Sequence, residues 1–219
     1  MTSRTPLLLL PGLLLDRRLY GPQLGSLADV AAIDVPDLTQ DESMAAMAER
    51  VLTAAPERFA LCGLSMGGYL AFEMMRQAPE RIERLALLDT QARPDTDEAR
   101  ERRLSMITQA REGDFAGVLQ RLLPLFIHPD RLADQALMGL IASMAEGVGS
   151  EAFLRQQNAI LNRKDSRASL SAIACPTLVL CGREDALTPA PLHHEIATEI
   201  PNAMLAVLPN CGHLSPLRF

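Results

Sequence analysis

The hexapeptide Gly63-Leu64-Ser65-Met66-Gly67-Gly68 constrains this chain more than any other stretch. It follows the apolar run Arg58 to Cys62 and precedes a helix-like run, Tyr69 to Ala78. A strand that turns straight into a helix leaves one residue at the bend, and here that residue is serine. Glycine two positions to either side leaves room for the neighbouring backbone to close tightly. The helix starting at the serine aims N–H groups and its positive end toward any negative charge that develops there. Strand, Gly-x-Ser-x-Gly, helix is the nucleophile-elbow arrangement, which places the chain in the α/β class.

A serine hydroxyl is a poor nucleophile at neutral pH and needs an adjacent base, usually a histidine that is itself oriented by a carboxylate. The chain has four histidines, His128, His193, His194 and His213. Only His213 lies in a glycine-containing loop, Pro209 to Leu214, after a strand-like segment, Ala203 to Leu208. His193 and His194 stand in the first turns of a predicted helix and point to different faces, which argues against a metal pair. His128 precedes Pro129 in a turn and is expected to be exposed. The orienting acid should lie between serine and histidine in chain order. Thr177 to Cys181 reads as a buried strand followed at once by Gly182-Arg183-Glu184-Asp185. A carboxylate just past a strand's C-terminal end faces the same sheet edge as the elbow. Asp185 is the favoured acid, Glu184 its near rival, and Asp89, after the strand-like Arg84 to Leu88, a rival on another strand.

The order Ser65, Asp185, His213, set in GLSMGG, GREDALTP and CGHLSP, resembles the α/β-hydrolase superfamily and within it small bacterial esterase- and lactonase-like members. The resemblance runs over essentially the whole chain. It implies Ser65 as nucleophile, His213 as general base and acid, and Asp185 as its orienter. It also implies an oxyanion hole built from the backbone N–H groups of Leu13 and Met66, since the first strand, Leu7 to Leu10, ends in Pro11-Gly12-Leu13-Leu14. Many relatives carry His-Gly where this chain carries Pro11-Gly12. Proline brings neither an N–H nor the imidazole's hydrogen bonds, so something else must hold this loop.

At 219 residues the chain suits one large domain with an inserted segment better than two independent domains. A hydrophobic fraction of 48% is enough for a substantial core. The net charge of −6 argues against binding nucleic acid or an anionic membrane surface. Leu7 to Leu15 is interrupted by Pro11-Gly12 and ended by Asp16-Arg17-Arg18, so it reads as strand plus loop rather than a signal peptide. No stretch is expected to approach the length of a membrane span. Cys62, Cys175, Cys181 and Cys211 form no Cys-x-x-Cys pair, and two of them fall in predicted strands, which suits reduced thiols in a cytoplasmic protein.

Alternating strand and helix runs predict a mostly parallel central sheet of about six strands flanked by helices. Val30 to Val35 is a weaker strand. Asp41 to Ala55 carries the helical stripe Met44, Met47, Ala48, Val51, Leu52. From about Thr90 the strands stop. Pro94 to Arg111, Phe115 to Phe126, Arg131 to Ala145 and Glu151 to Asn162 all read as helices, and strands resume at Pro176. An all-helical insertion at this point is similar to the cap of the α/β-hydrolases. The division that follows is a core of residues 1–90 and 170–219 with a helical cap of 91–169. Such a cap would draw its substrate contacts from Met106, Leu122, Phe126, Met138, Met144 and Phe153, with Phe126, Met138 and Phe153 the preferred three. Arg100, Arg102, Arg103 and Arg111 alternate with acids and are expected to form a solvated face.

The expectation is a cytoplasmic serine hydrolase acting on a small-molecule carboxylic ester, lactone or thioester, with no metal or organic cofactor. Few aromatic residues favour aliphatic substrates. Lyases, carbon–carbon bond hydrolases and cofactor-free oxygenases use the same triad on the same fold, and a non-catalytic binding module is a third reading. A haloalkane dehalogenase is disfavoured, since its elbow should carry aspartate. The sequence stops six residues past His213, where relatives usually continue into a closing helix, so either the fold is minimal or the chain is shortened; if shortened, an apolar sheet face is left uncovered that a neighbouring chain could fill.

Overall fold

The computed structural model describes residues 4–218, so residues 1–3 and 219 of the expected core lie outside the described residues. Six strands form one sheet: β1 (Thr5–Leu10), β2 (Ala31–Asp34), β3 (Phe59–Leu64), β4 (Ile82–Leu88), β5 (Thr177–Gly182) and β6 (Met204–Leu208). The order across the sheet is β2-β1-β3-β4-β5-β6, and every neighbouring pair is parallel. The central strands are continuous apolar runs, as expected of strands covered on both faces. Leu8 to Leu10 and Leu61 to Leu64 are buried throughout. The chain runs from β1 out to β2, then returns to β3 on the other side of β1. That reversal opens a crevice between the C-terminal ends of β1 and β3, the usual ligand position in such sheets.

The helices are α1 (Gly21–Ser26), α2 (Met44–Ala54), α3 (Met66–Gln77), α4 (Asp97–Arg111), α5 (Phe115–Leu122), α6 (Gln135–Leu161) and α7 (Ala190–Glu199). Their starts follow side-chain caps. Ser43, Thr96, Asp114 and Asp134 each accept a backbone N–H from the first turn of the helix that follows. This is why α2 and α4 begin three residues later than periodicity alone predicts. Pro124 lacks the N–H needed to continue α5, and residues Leu123–Phe126 tighten into a 3-10 turn. Met44, Met47, Ala48, Val51 and Leu52, the predicted stripe, are all buried.

Between β4 and β5 no strand intervenes, and α4, α5 and α6 form the all-helical insertion. One expectation needs correcting. By length and mean hydropathy Gln135–Leu161 is sufficient to cross a membrane. Gly149 breaks it, with φ of 80° and ψ of 169°, into the two helices read from the sequence. Ile141, Met144, Ala145, Phe153, Ala159 and Ile160 from the two halves are all buried in the core.

Alternate residues on one face of the sheet line an apolar groove of about 380 Å³. They include Leu7, Leu9, Ala60, Cys62, Ala86 and Leu88, and Tyr20, Gln23 and Pro216 border them.

Candidate active site

The backbone sets the geometry. Ser65 sits between β3 and α3 with φ of 54° and ψ of −113°, a strained conformation for a residue with a side chain. Two glycines make this bend possible. A Cβ on Gly63 would collide with the backbone of Gly67, and one on Gly67 with the carbonyl of Leu10. The Gly-x-Ser-x-Gly spacing is thus dictated by backbone meeting backbone.

Ser65 Oγ lies 2.8 Å from His213 Nε2, and His213 Nδ1 lies 2.8 Å from Asp185 Oδ2 and 3.0 Å from Oδ1. A carboxylate only accepts, so Nδ1 carries the proton and Nε2 is free to accept from the serine hydroxyl. Asp185 is 4% exposed and His213 2%, so neither leans on bulk water. Asp185 also accepts from the N–H groups of Leu187 (2.8 Å) and Thr188 (3.0 Å) and from the Thr188 hydroxyl (2.7 Å). Burial pushes its carboxyl upward, but His213 and the Thr188 donors outweigh that and hold it below the usual range. Burial pushes His213 downward, while the charges of Asp185 and Asp89 and the hydrogen bond to Asp185 leave it raised. Such a line can pass a proton from hydroxyl to imidazole while the carboxylate steadies the cation.

The rival acids have other partners. Glu184 accepts the N–H of Cys211 at 2.9 Å. The Asp89 carboxylate accepts the N–H groups of Gly182 (2.9 Å) and Ser215 (3.1 Å). Leu13 lines the cleft beside Ser65, and Met66 opens α3 directly after it. The question posed by Pro11 has its answer in Gln156 of α6, which is 1% exposed. Its Oε1 accepts from Leu14 N–H at 3.1 Å, and its Nε2 donates to the Leu38 carbonyl at 3.1 Å. The Tyr20 hydroxyl donates to the Leu10 carbonyl at 2.8 Å from the other side. A glutamine inside an apolar helix was the only signal in the sequence, and its partners lie more than a hundred residues away.

A cleft of about 370 Å³ opens over Ser65 and His213. Leu13, Met106, Leu122, Phe126, Ile160 and Leu187 give it apolar walls, and the Phe126 ring centroid is 6.0 Å from that of His213. Of the three preferred contacts, only Phe126 lines it. Phe153 is fully buried against Phe115, with centroids 5.6 Å apart, and Met138 packs on the core. Met144 is likewise fully buried, while Met106 and Leu122 do line the cleft. Helical spacing marks a buried face without saying what buries it.

Of the arginines expected on a solvated face, Arg100, Arg102 and Arg111 are exposed, and Arg103 is the one that departs. Arg102 and Arg103 line the cleft, as does Arg121 of α5. Arg103 reaches Asp95 at 2.9 Å and hydrogen-bonds Gln157, and Arg163 reaches the same carboxylate at 2.8 Å. Arg163 also lies 4.3 Å over the Tyr69 ring. Asp95 therefore ties α4 and α6 to the start of α3, and its two guanidinium partners, overcoming burial, hold it below the usual carboxylate range. His128, expected in solvent, has a side chain only 14% exposed. His193 is fully buried and accepts the Thr90 N–H on Nε2 at 2.8 Å, with His194 outside this contact. Burial lowers His193 to about 4, and it is neutral at physiological pH. All four cysteines are free thiols.

A family model described as alpha/beta hydrolase fold matches residues 5–218. A pimeloyl-[acyl-carrier protein] methyl ester esterase from Nitrosomonas europaea is 30% identical over 184 residues, covering 81% of this chain and 73% of that protein. A thermophilic esterase from Thermogutta terrifontis, solved with malate bound, superposes with a TM-score of 0.90 at 31% identity. The match covers 99% of this chain and 85% of that one. An enol-lactonase from Burkholderia xenovorans LB400 has the same fold, with a TM-score of 0.89 at 23% identity over 98% of this chain and 86% of that one.

Proposed function

Because the chain belongs to the α/β-hydrolase family, we propose that it cleaves a small to medium carboxylic ester, lactone or thioester through an acyl-enzyme on Ser65. The observation that carries this reading is the hydrogen-bonded line from Ser65 Oγ through His213 to Asp185. His213 takes the hydroxyl proton as Ser65 attacks the acyl carbon, then gives it to the leaving group. A water activated by the same imidazole releases the acid. The N–H groups of Leu13 and Met66 are assigned to the oxyanion, a contribution worth about 3 kcal/mol per donor in comparable sites. The reaction needs no metal and no organic cofactor. The esterases among its relatives support the ester as reacting bond.

The cleft refines the substrate. Its apolar walls suit an aliphatic acyl chain, and Arg102 and Arg121 give it a basic stretch that favours a polar or anionic tail. In this reading residues 91–169 act as the cap and residues 1–90 and 170–219 as the catalytic core. The free thiols support a reducing, cytoplasmic setting.

The test is intact mass after incubation with a fluorophosphonate. Wild type should gain one adduct and Ser65→Ala none. A folded wild-type protein that gains no adduct would remove the reading.

A further inference from the structure

The segment Leu88-Asp89-Thr90, where β4 ends, hydrogen-bonds all three loops that carry Ser65, Asp185 and His213. The Leu88 carbonyl accepts Ser65 N–H at 2.9 Å, and the Thr90 hydroxyl donates to the Ser65 carbonyl at 2.8 Å. Asp89 Oδ1 accepts from Gly182, three residues before Asp185, and Asp89 Oδ2 accepts from Ser215, two residues after His213. Asp89 N–H is bound in turn to the Leu180 carbonyl at 2.9 Å, and Thr90 N–H to His193. Asp89 is fully buried and holds φ at 44°, a left-handed conformation that aspartate tolerates better than most residues.

We propose that Asp89 and Thr90 are positioning residues for the hydrolytic reaction: the Asp89 carboxylate fixes the acid loop against the histidine loop, and Thr90 fixes the elbow to the same strand end. The proposal rests on the serine-hydrolase reading above. Neither side chain is hydrogen-bonded to His213 or to Ser65 Oγ, so both act through the loops they hold. Loop placement matters because an error of about 1 Å in a reacting group costs on the order of 100-fold in rate.

Asp89 also acts on His213 through its charge. The groups facing it are His213 and Asp185 on the cleft side, with the thiols of Cys62, Cys181 and Cys211 and the hydroxyl of Tyr20 around it. The three thiols are pushed up to about 12 and Tyr20 well above its ordinary value, all chiefly by burial, so these four are neutral near pH 7. Burial raises Asp89 to about 7, with His213 lowering it and Asp185 raising it further. An ionised Asp89 favours the protonated form of His213, so removing its charge should lower the histidine's pKa.

The experiment follows the rate of fluorophosphonate reaction with Ser65 from about pH 5 to 9, where the acidic limb reports the base. Asp89→Asn, which offers an amide N–H where one backbone donor sits, should slow the reaction by about 10- to 100-fold and move the limb to lower pH. Thr90→Val should slow it by about 10-fold and Thr90→Ser should restore it. An unmoved limb in Asp89→Asn, or Thr90→Val at the wild-type rate, would overturn the proposal while wild-type labelling still upheld the hydrolase reading. A wild type that takes no label would overturn both. If Asp89→Asn does not fold, the Val and Ser variants decide alone.

Discussion

Two cavities among the described residues are almost equal in size, about 370 Å³ over Ser65 and about 380 Å³ on the sheet face. Both are walled by leucine and other apolar side chains. They differ in what their polar groups are doing. In the groove the Tyr20 hydroxyl donates to the Leu10 carbonyl and the Gln23 amide N–H to the Pro216 carbonyl, while Gln23 Oε1 and Ser215 Oγ are buried without a hydrogen-bond partner and belong to no hydrogen-bonded line. In the cleft a hydroxyl, an imidazole and a carboxylate converge on one line, and the serine oxygen ends that line at the cavity surface. Volume and apolar walls make a place where something can lie. Polar groups that converge on one hydrogen-bonded line make a place where something can react.

The largest effect should come from breaking that convergence. Asp185→Asn keeps the shape of the side chain but lets the amide donate toward His213 Nδ1, favouring the wrong imidazole tautomer. The expected loss in the rate of ester cleavage is about 10⁴-fold, measured as kcat with a chromogenic ester. A loss under about tenfold would mean that another carboxylate orients His213, and Asp89 would be the first to test.

A truncation in each cavity should sharpen the contrast. Met106→Ala shortens a wall of the cleft, and Leu7→Ala a wall of the groove. The first should change kcat/KM by about 10- to 100-fold for the acyl chain length that best fills the cleft. The second should leave kcat/KM alone and lower stability by about 1–2 kcal/mol, because Leu7 is only half-buried. Ester-length profiles and urea unfolding of both variants separate the outcomes. Equal effects on rate would show the groove coupled to the chemistry.

What could be read from the sequence follows from how local each signal is. Ser65, Asp185 and His213 each follow a strand within a few residues, so strand-then-loop order brought them forward as candidates, with Glu184 and Asp89 beside Asp185. The break at Gly149 was equally visible, because the helical pattern stops and restarts around it. Gln156 was not legible, since the Leu14 N–H it holds is 142 residues away and nothing local marks the pair. Arg103 alternates with acids like a solvated residue, yet Asp95 draws it inward. Phe153 and Met138 stand at helical spacing, but α6 packs both on the core, while Met106, Leu122 and Phe126 of the same insertion reach the cleft. Asp89 was visible only as a rival to Asp185. Its two bonds to backbone N–H groups depend on how three loops meet.

The smallest effect concerns the buried groups behind the cleft, and its sign is fixed by two opposed shifts. Asp89 rises from 3.8 to about 7 on folding, so between those values the native state holds the extra proton and stability falls as pH rises. His193 falls from 6.5 to about 4, so between those values the unfolded chain holds the extra proton and stability rises with pH. Across about pH 4 to 6.5 the two contributions oppose each other, each at most about 1.4 kcal/mol per pH unit. Removing either one should unmask the other. Asp89→Asn should lose stability as the solution is acidified through this window. His193→Gln, whose amide oxygen can still accept the Thr90 N–H, should gain it. Urea midpoints taken at half-unit intervals measure both slopes. Identical slopes in the two variants would mean that neither group is held in the protonation state its burial demands.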